Sequence, residues 1–136
     1  MSASPKSVLA IDKDPAICRL LSLVLGERGF TVYTAPSVPE ALDLCRQHQP
    51  SVALVELDLS SGRDLQFLAD LKAAAPAMSL CVVNASGGSH TVEQLRALGV
   101  AHFFPKPFTL VRLVTILEGL AAGAKPPTNG SSFPIC

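Results

Sequence analysis

Five short apolar runs alternate with five longer amphipathic ones along the chain, and this alternation narrows the choice of fold more than any other feature. Val8-Leu9-Ala10-Ile11 reads as a buried strand, stopped by the charged turn Asp12-Lys13-Asp14-Pro15. Proline suits a first helical turn, with Asp14 as its N-cap. Ile17, Leu20, Leu21, Val24 and Leu25 then recur at the spacing of one helix face, and Gly29 ends that helix. Phe30 to Thr34 reads as a second strand. Ser37 or Val38 opens a second helix running to about His48, with Ala41, Leu42 and Cys45 on its inner stripe. Val52 to Leu57 is a third strand, buried on both faces as parallel strands are. A turn at Ser60-Ser61-Gly62 leads to a third helix marked by Leu65, Leu68 and Leu71, up to Pro76. Met78 to Val83, a loop from Asn84 to His90, and a helix on Val92, Leu95 and Leu98 with Gly99 as its stop form the fourth unit. Ala101 to Phe104, broken by Pro105-Lys106-Pro107, and a helix from 109 to about 122 form the fifth. Strands and helices in strict alternation imply a three-layer α/β domain around a parallel sheet.

Composition closes off several function classes. Eleven basic and eleven acidic side chains cancel, so no global field draws the chain to nucleic acid or to an anionic membrane. The first apolar run is too short for a signal-peptide core or a membrane span, and a cytoplasmic protein is expected. Cys18, Cys45, Cys81 and Cys136 form no CxxC pair and have no His at ligand spacing, so small hydrophobes in a reducing compartment are expected. Beyond Ala122 the text is rich in Gly, Pro, Ser and Asn and loses its apolar period. The expected organisation is a domain over 1–122 and a flexible tail or linker stub over 123–136.

In an open parallel sheet the chemistry gathers at the carboxyl ends of the strands. Those ends carry Asp12-Lys13-Asp14, Glu56 with Asp58, Asn84 and Lys106. Over residues 7 to 121 the sequence resembles the receiver domain of two-component response regulators. The resemblance rests on Val8 to Asp12, continued by Asp14 to Ile17, on Gly29 to Val32, on Pro50 to Leu68, and on Gly99 to Phe108 with its Lys106-Pro107-Phe108 close. It implies the (βα)5 flavodoxin-like receiver fold, with a five-stranded parallel sheet in the order 2-1-3-4-5. It also implies bacterial phosphorelay signalling, with a histidine kinase upstream, and no catalytic residues of an enzyme's kind.

Departures from the family pattern carry as much information as the matches. The second metal-binding acid corresponds to Lys13, and the phosphoaccepting aspartate to Glu56, with Asp58 as a displaced alternative. The switch hydroxyl corresponds to Asn84 and the rotating aromatic to Phe103, while Lys106 and Pro107 are kept. Asp12, Lys13, Glu56 and Lys106 sum to a formal charge of zero, or −1 if Asp14 faces inward. A Mg²⁺ site needs surplus negative oxygen ligands in near-octahedral array, so no metal or other cofactor is expected. If a cation does bind, Asp12, Asp14 and Glu56 are its ligands. The extra methylene of Glu56 displaces its oxygens by about 1.5 Å, which in-line phosphoryl transfer tolerates poorly. Either Lys106 or Lys13 is the expected partner of Glu56, since an unpaired buried carboxylate is costly. The plainer readings are that Asp14 only caps a helix, that Lys13 is a solvated loop lysine and that Asp58 is a turn residue.

Helix five carries Leu110, Val114, Leu117 and Ala121 on one core-facing stripe, widened by Val111, Leu113, Ile116 and Leu120. An exposed interaction face of Val92, Leu95, Phe104, Leu113, Ile116 and Leu120, serving a protein partner or a homodimer, is the expectation this raises. The functional reading is therefore an atypical receiver that acts as an interaction module without phosphorylation. A conventional receiver using Mg²⁺ with Glu56 or Asp58 is the alternative. A remote alternative is a haloacid-dehalogenase-like phosphatase using Asp12 and Asp14, although that family's pattern has Thr or Val where Ala16 stands.

Overall fold

A computed structural model describes residues 6–56, 62–84, 89–105 and 109–122, with side chains at 62–64, 84, 89–92 and 105 outside its description. Ten elements follow in strict alternation: β1 (Ser7–Ile11), α1 (Pro15–Glu27), β2 (Thr31–Ala35), α2 (Val38–His48), β3 (Val52–Glu56), α3 (Gly62–Ala74), β4 (Ser79–Asn84), α4 (Ser89–Ala97), β5 (Val100–Pro105) and α5 (Leu110–Ala121). All strands pair in parallel, in the order β2-β1-β3-β4-β5. The predicted strands and helices are all present, with ends displaced by a residue or two. Asp58, Lys106, Pro107 and the 123–136 segment lie outside the described residues.

The central strands are buried on both faces, their side chains alternating with the strand period of two, while the edge strand β2 keeps Thr31 and Thr34 exposed. Val8, Ala10, Val52 and Leu54 pack with Leu21 and Leu25 of α1 and Leu113, Val114 and Leu117 of α5. Their neighbours Leu9, Ile11, Ala53 and Val55 pack on the opposite face with residues of α2, α3 and α4. Helix ends follow local chemistry. Pro15 opens α1 behind Asp14, and the chain leaves α1 through Gly29 at φ +90°, a conformation that costs a side-chain-bearing residue strain. Gln49 takes the same left-handed region (φ 48°) after α2 without being glycine, its side-chain amide donating to Cys45 O at 2.8 Å and Ala74 O at 3.2 Å. Near the amino edge of the sheet, Lys6 lies over the Phe30 ring and donates to Arg28 O at 2.7 Å.

Two expectations are corrected. On α1, Leu21 and Leu25 enter the core, whereas Ile17 is 37% and Leu20 42% exposed; on α5, Leu110 is 37% exposed. The core-facing stripes are thus narrower than the apolar spacing suggested. The expected interaction face is corrected at three of its positions, because Leu95, Phe104 and Leu113 are fully buried; Ile116 and Leu120 are half-buried. Of the residues that widen the α5 stripe, Leu113, Ile116 and Leu120 pack against the core beneath the sheet, whereas Val111 is 73% exposed. The Val92 side chain lies outside the described residues.

His102, on β5, is buried with its ring 4.5 Å from that of Phe104. Burial, reinforced by the positive charge of Arg112, lowers its pKa to about 4. The unfolded chain takes up this proton near pH 6.5 and the folded chain only near 4, so stability is full above 6.5 and falls as pH drops between the two values. Denaturant titrations should show a loss of about 1 kcal/mol per pH unit across that window. His102→Leu should flatten this acid limb.

Candidate functional site at the carboxyl edge of the sheet

Parallel pairing aligns the carboxyl ends of the strands. Ile11 sits in register with Val55 and with Ala35, Glu56 with Val83, and Asn84 with Pro105. Asp12 and Glu56 therefore stand at one level on neighbouring strands, whose backbones lie about 4.8 Å apart. Asp12 N–H donates to Ala35 O at 3.1 Å, extending the β1–β2 ladder by one bond. The two carboxylates share the wall of one cleft, as the alternation of Ile11 and Val55 with Ala10 and Leu54 requires.

The turn between β1 and α1 fixes the acids locally. Asp12 is buried (8% exposed), and its Oδ1 accepts from Asp14 N–H at 2.9 Å. Asp14 is exposed, and its Oδ1 accepts from Ala16 N–H at 3.0 Å, capping α1 as the sequence predicted. Cys18 Sγ donates to Asp12 O at 3.3 Å from the first turns of α1; burial, then the Asp12 charge, push its thiol pKa up. Lys13 is exposed and, among the described residues, makes no ion pair, so the expected contact between Lys13 and Glu56 is not made. Lys106, the other expected partner of Glu56, lies outside the described residues.

Glu56 ends β3 half-buried. Phe103 is 5% exposed and packs in the core on the α2–α4 side of the sheet. Asn84 closes β4, with its side chain outside the described residues. Sequence reasoning missed the cleft itself. It has a volume of about 220 Å³ and is walled by Ile11, Leu54 and Val83 of the strands, Ile17, Leu20 and Leu21 of α1, and Leu110 and Leu113 of α5, beside Asp12 and Glu56. Its signal was the surplus of apolar positions on α1 and at the start of α5, which was assigned to the core.

The receiver resemblance implies a Mg²⁺ ion here, and the described donors fit one poorly. No group of three His, Cys, Asp or Glu side chains able to hold a metal occurs among the described residues. Asp14 is turned to its capping role, and the neighbour of Asp12 is a lysine. That leaves Asp12 and Glu56 as the described carboxylates at this edge.

Residues 8–118 match the response regulator receiver domain family. The chain belongs to that family, and the domain is a receiver of two-component signalling. Among curated relatives, it is 26% identical over 129 residues to the transcriptional regulatory protein GlrR of Escherichia coli, covering 95% of this chain and 29% of that one. It is 27% identical to the acid tolerance regulatory protein ActR of Rhizobium meliloti over 93% of this chain and 66% of the relative. The chain thus spans less than a third of the length of the first of these relatives. A response regulator structure from Burkholderia pseudomallei, with a phosphorylated aspartic acid, calcium ion and citrate, is similar at a TM-score of 0.74 and 25% identity over 86% of this chain and 69% of that one. A CheY-like receiver from Methanospirillum hungatei shares the fold at a TM-score of 0.79 and 20% identity, covering 88% and 95% of the two chains. Family membership over most of the chain displaces the phosphatase resemblance, and Asp14 serves the helix cap. No described helix is long and apolar enough to cross a membrane.

Because the Asp14 side chain caps the first turn of α1 through its bond from Ala16 N–H, Asp14→Ala should lower stability by about 1 kcal/mol. A thermal melt should show a drop of a few degrees with the fold intact, and Asp14→Ser should restore most of it.

Proposed function

We propose that this receiver works as a protein-interaction module whose conformation is not set by phosphorylation. The observation that carries the reading is the Asp12–Asp14 turn. Lys13 occupies the position of the second acid and is exposed, while both aspartates accept backbone N–H bonds. Without surplus carboxylate, Mg²⁺ is held weakly, and phosphoryl transfer loses the cation that neutralises developing charge. Glu56 adds a second obstacle, since its longer side chain moves the acceptor oxygens away from in-line geometry. It also supplies a permanent negative charge at the acceptor position, and the aromatic at the switch position, Phe103, is already buried.

On this reading the domain has no catalytic role and needs no cofactor. It acts in the cytoplasm on a protein partner, a histidine kinase among the candidates, and not on nucleic acid. The domain boundary near residue 122 belongs to the same proposal.

Incubation of the chain with acetyl phosphate and Mg²⁺, followed by intact mass measurement, tests it. The expected outcome is an unchanged mass. A gain of one phosphoryl group that disappears in Glu56→Gln would overturn the reading in favour of a conventional receiver; a gain that survives there and disappears in Asp58→Asn would do the same.

A further inference from the structure

The cleft between α1 and α5 is open on its outer side, and we propose that it is the docking site of a segment of this same chain, Phe133-Pro134-Ile135, with residues 123–132 as its tether. Among the described residues, the large apolar side chains left exposed all lie on these two helices: Ile17, Leu20 and Leu23 on α1, Leu110 and Val111 on α5. Ile17, Leu20 and Leu110 line the cleft itself. Each forgoes burial that its side chain would otherwise gain, and a further apolar body seated between the helices would recover it. Leu54, Val83 and Leu113 form the floor. The volume of about 220 Å³ exceeds the roughly 150 Å³ that accommodates a benzene ring in an apolar cavity, so a phenylalanine ring fits.

The sequence supplies the occupant. Residues 123–132 (GAKPPTNGSS) hold no large apolar side chain, and Phe133 and Ile135 then follow on either side of Pro134. A run without anchors that ends in two anchors has the form of a tether and a plug. Proline biases the residue before it toward extended backbone, in which positions two apart lie on one side of the chain. Phe133 and Ile135 are thereby presented together, one for the cleft and one for its apolar lip.

Reach decides whether such a segment can return. Side chains of α1 and α5 pack on the same face of the sheet, so the way back from Ala122 runs along the seam between the two helices. Helix α5 has 12 residues, with Leu110 at its start and Ala122 capping its end, and is therefore about 18 Å long at 1.5 Å per residue. Phe133 lies eleven positions beyond Ala122. Eleven residues extend to at most about 40 Å, and a Gly/Ser-rich stretch of that length has an r.m.s. span of about 18 Å. Tether and span match, the condition under which the effective concentration of a linked group is greatest, on the order of millimolar. A contact too weak to retain a separate peptide is then populated within one chain. Docked, the segment closes the cleft beside Asp12 and Glu56.

This inference does not rest on the interaction-module reading. Docking is read by proton contacts and phosphoryl uptake by mass, so either can fail while the other stands.

The test is methyl and aromatic NMR on the 136-residue chain. Nuclear Overhauser contacts should connect the Phe133 ring with the methyl groups of Ile17, Leu20 or Leu110, and the ring should shift those methyls upfield independently of protein concentration. Phe133→Ser should abolish both effects. Leu110→Gln should weaken them from the side of the cleft; should that variant fail to fold, Phe133→Ser decides alone. A mixture of ring-labelled and methyl-labelled chains should show no contact between them. Absence of any contact between Phe133 and these methyls, or contacts centred away from the cleft, would overturn the proposal. Contacts seen between differently labelled chains would overturn it too, assigning the cleft to a second copy.

Discussion

Parallel pairing of β1 with β3 is the constraint on which the rest of the molecule depends. It fixes Ile11 beside Val55, and so brings Asp12 and Glu56 to one level of one sheet edge although 44 positions separate them in the sequence. The pairing is held by burial on both faces. Val8, Ala10, Val52 and Leu54 are covered by α1 and α5, and Leu9, Ile11, Ala53 and Val55 by the helices opposite. A one-residue slip of either strand would turn its inner set to the opposite face and carry its own carboxylate away from the other. The site is therefore a consequence of the core.

At that edge the local chemistry is conservative in backbone terms and altered in charge. Asp12 and Asp14 organise the turn into α1 through N–H bonds to their carboxylates, as a tight strand-to-helix connection needs. What departs from the receiver pattern is the side chain between them. Lys13 is exposed and makes no ion pair among the described residues, so on the proposed reading it acts by the acid it replaces. The receiver scaffold is present in fold, and on the proposed reading Lys13 and Glu56 are the changes that disable its switch.

The architecture was legible in the sequence because each element carried its own signal. Buried parallel strands read as continuous apolar runs, and Asp14-Pro15 and Gly29 marked the ends of α1 before any packing was considered. The left-handed Gln49 after α2 was not legible, since a side-chain amide bonding two carbonyls replaces the usual glycine. The phase of α1 and α5 was misjudged for a related reason. Apolar spacing shows which positions avoid water, but cannot separate a residue facing the sheet from one facing a cleft, so Ile17, Leu20 and Leu110 were counted as core. The reverse error placed Leu95, Phe104 and Leu113 on an exposed face, when the depth of the sheet absorbs them. The charge count could not place the Lys13 side chain, because formal charge carries no information on where it points.

The central claim is that replacing the acid beside Asp12 with lysine has removed the cation on which receiver phosphorylation depends. A Mg²⁺ titration followed by amide chemical shifts, on the wild-type chain and on Lys13→Asp, tests this most directly. The account predicts no saturable shifts around Asp12 and Glu56 in the wild type at millimolar Mg²⁺, and saturable shifts there once Lys13 is replaced by aspartate. Saturable binding in the wild type, with an affinity the substitution leaves unchanged, would contradict it.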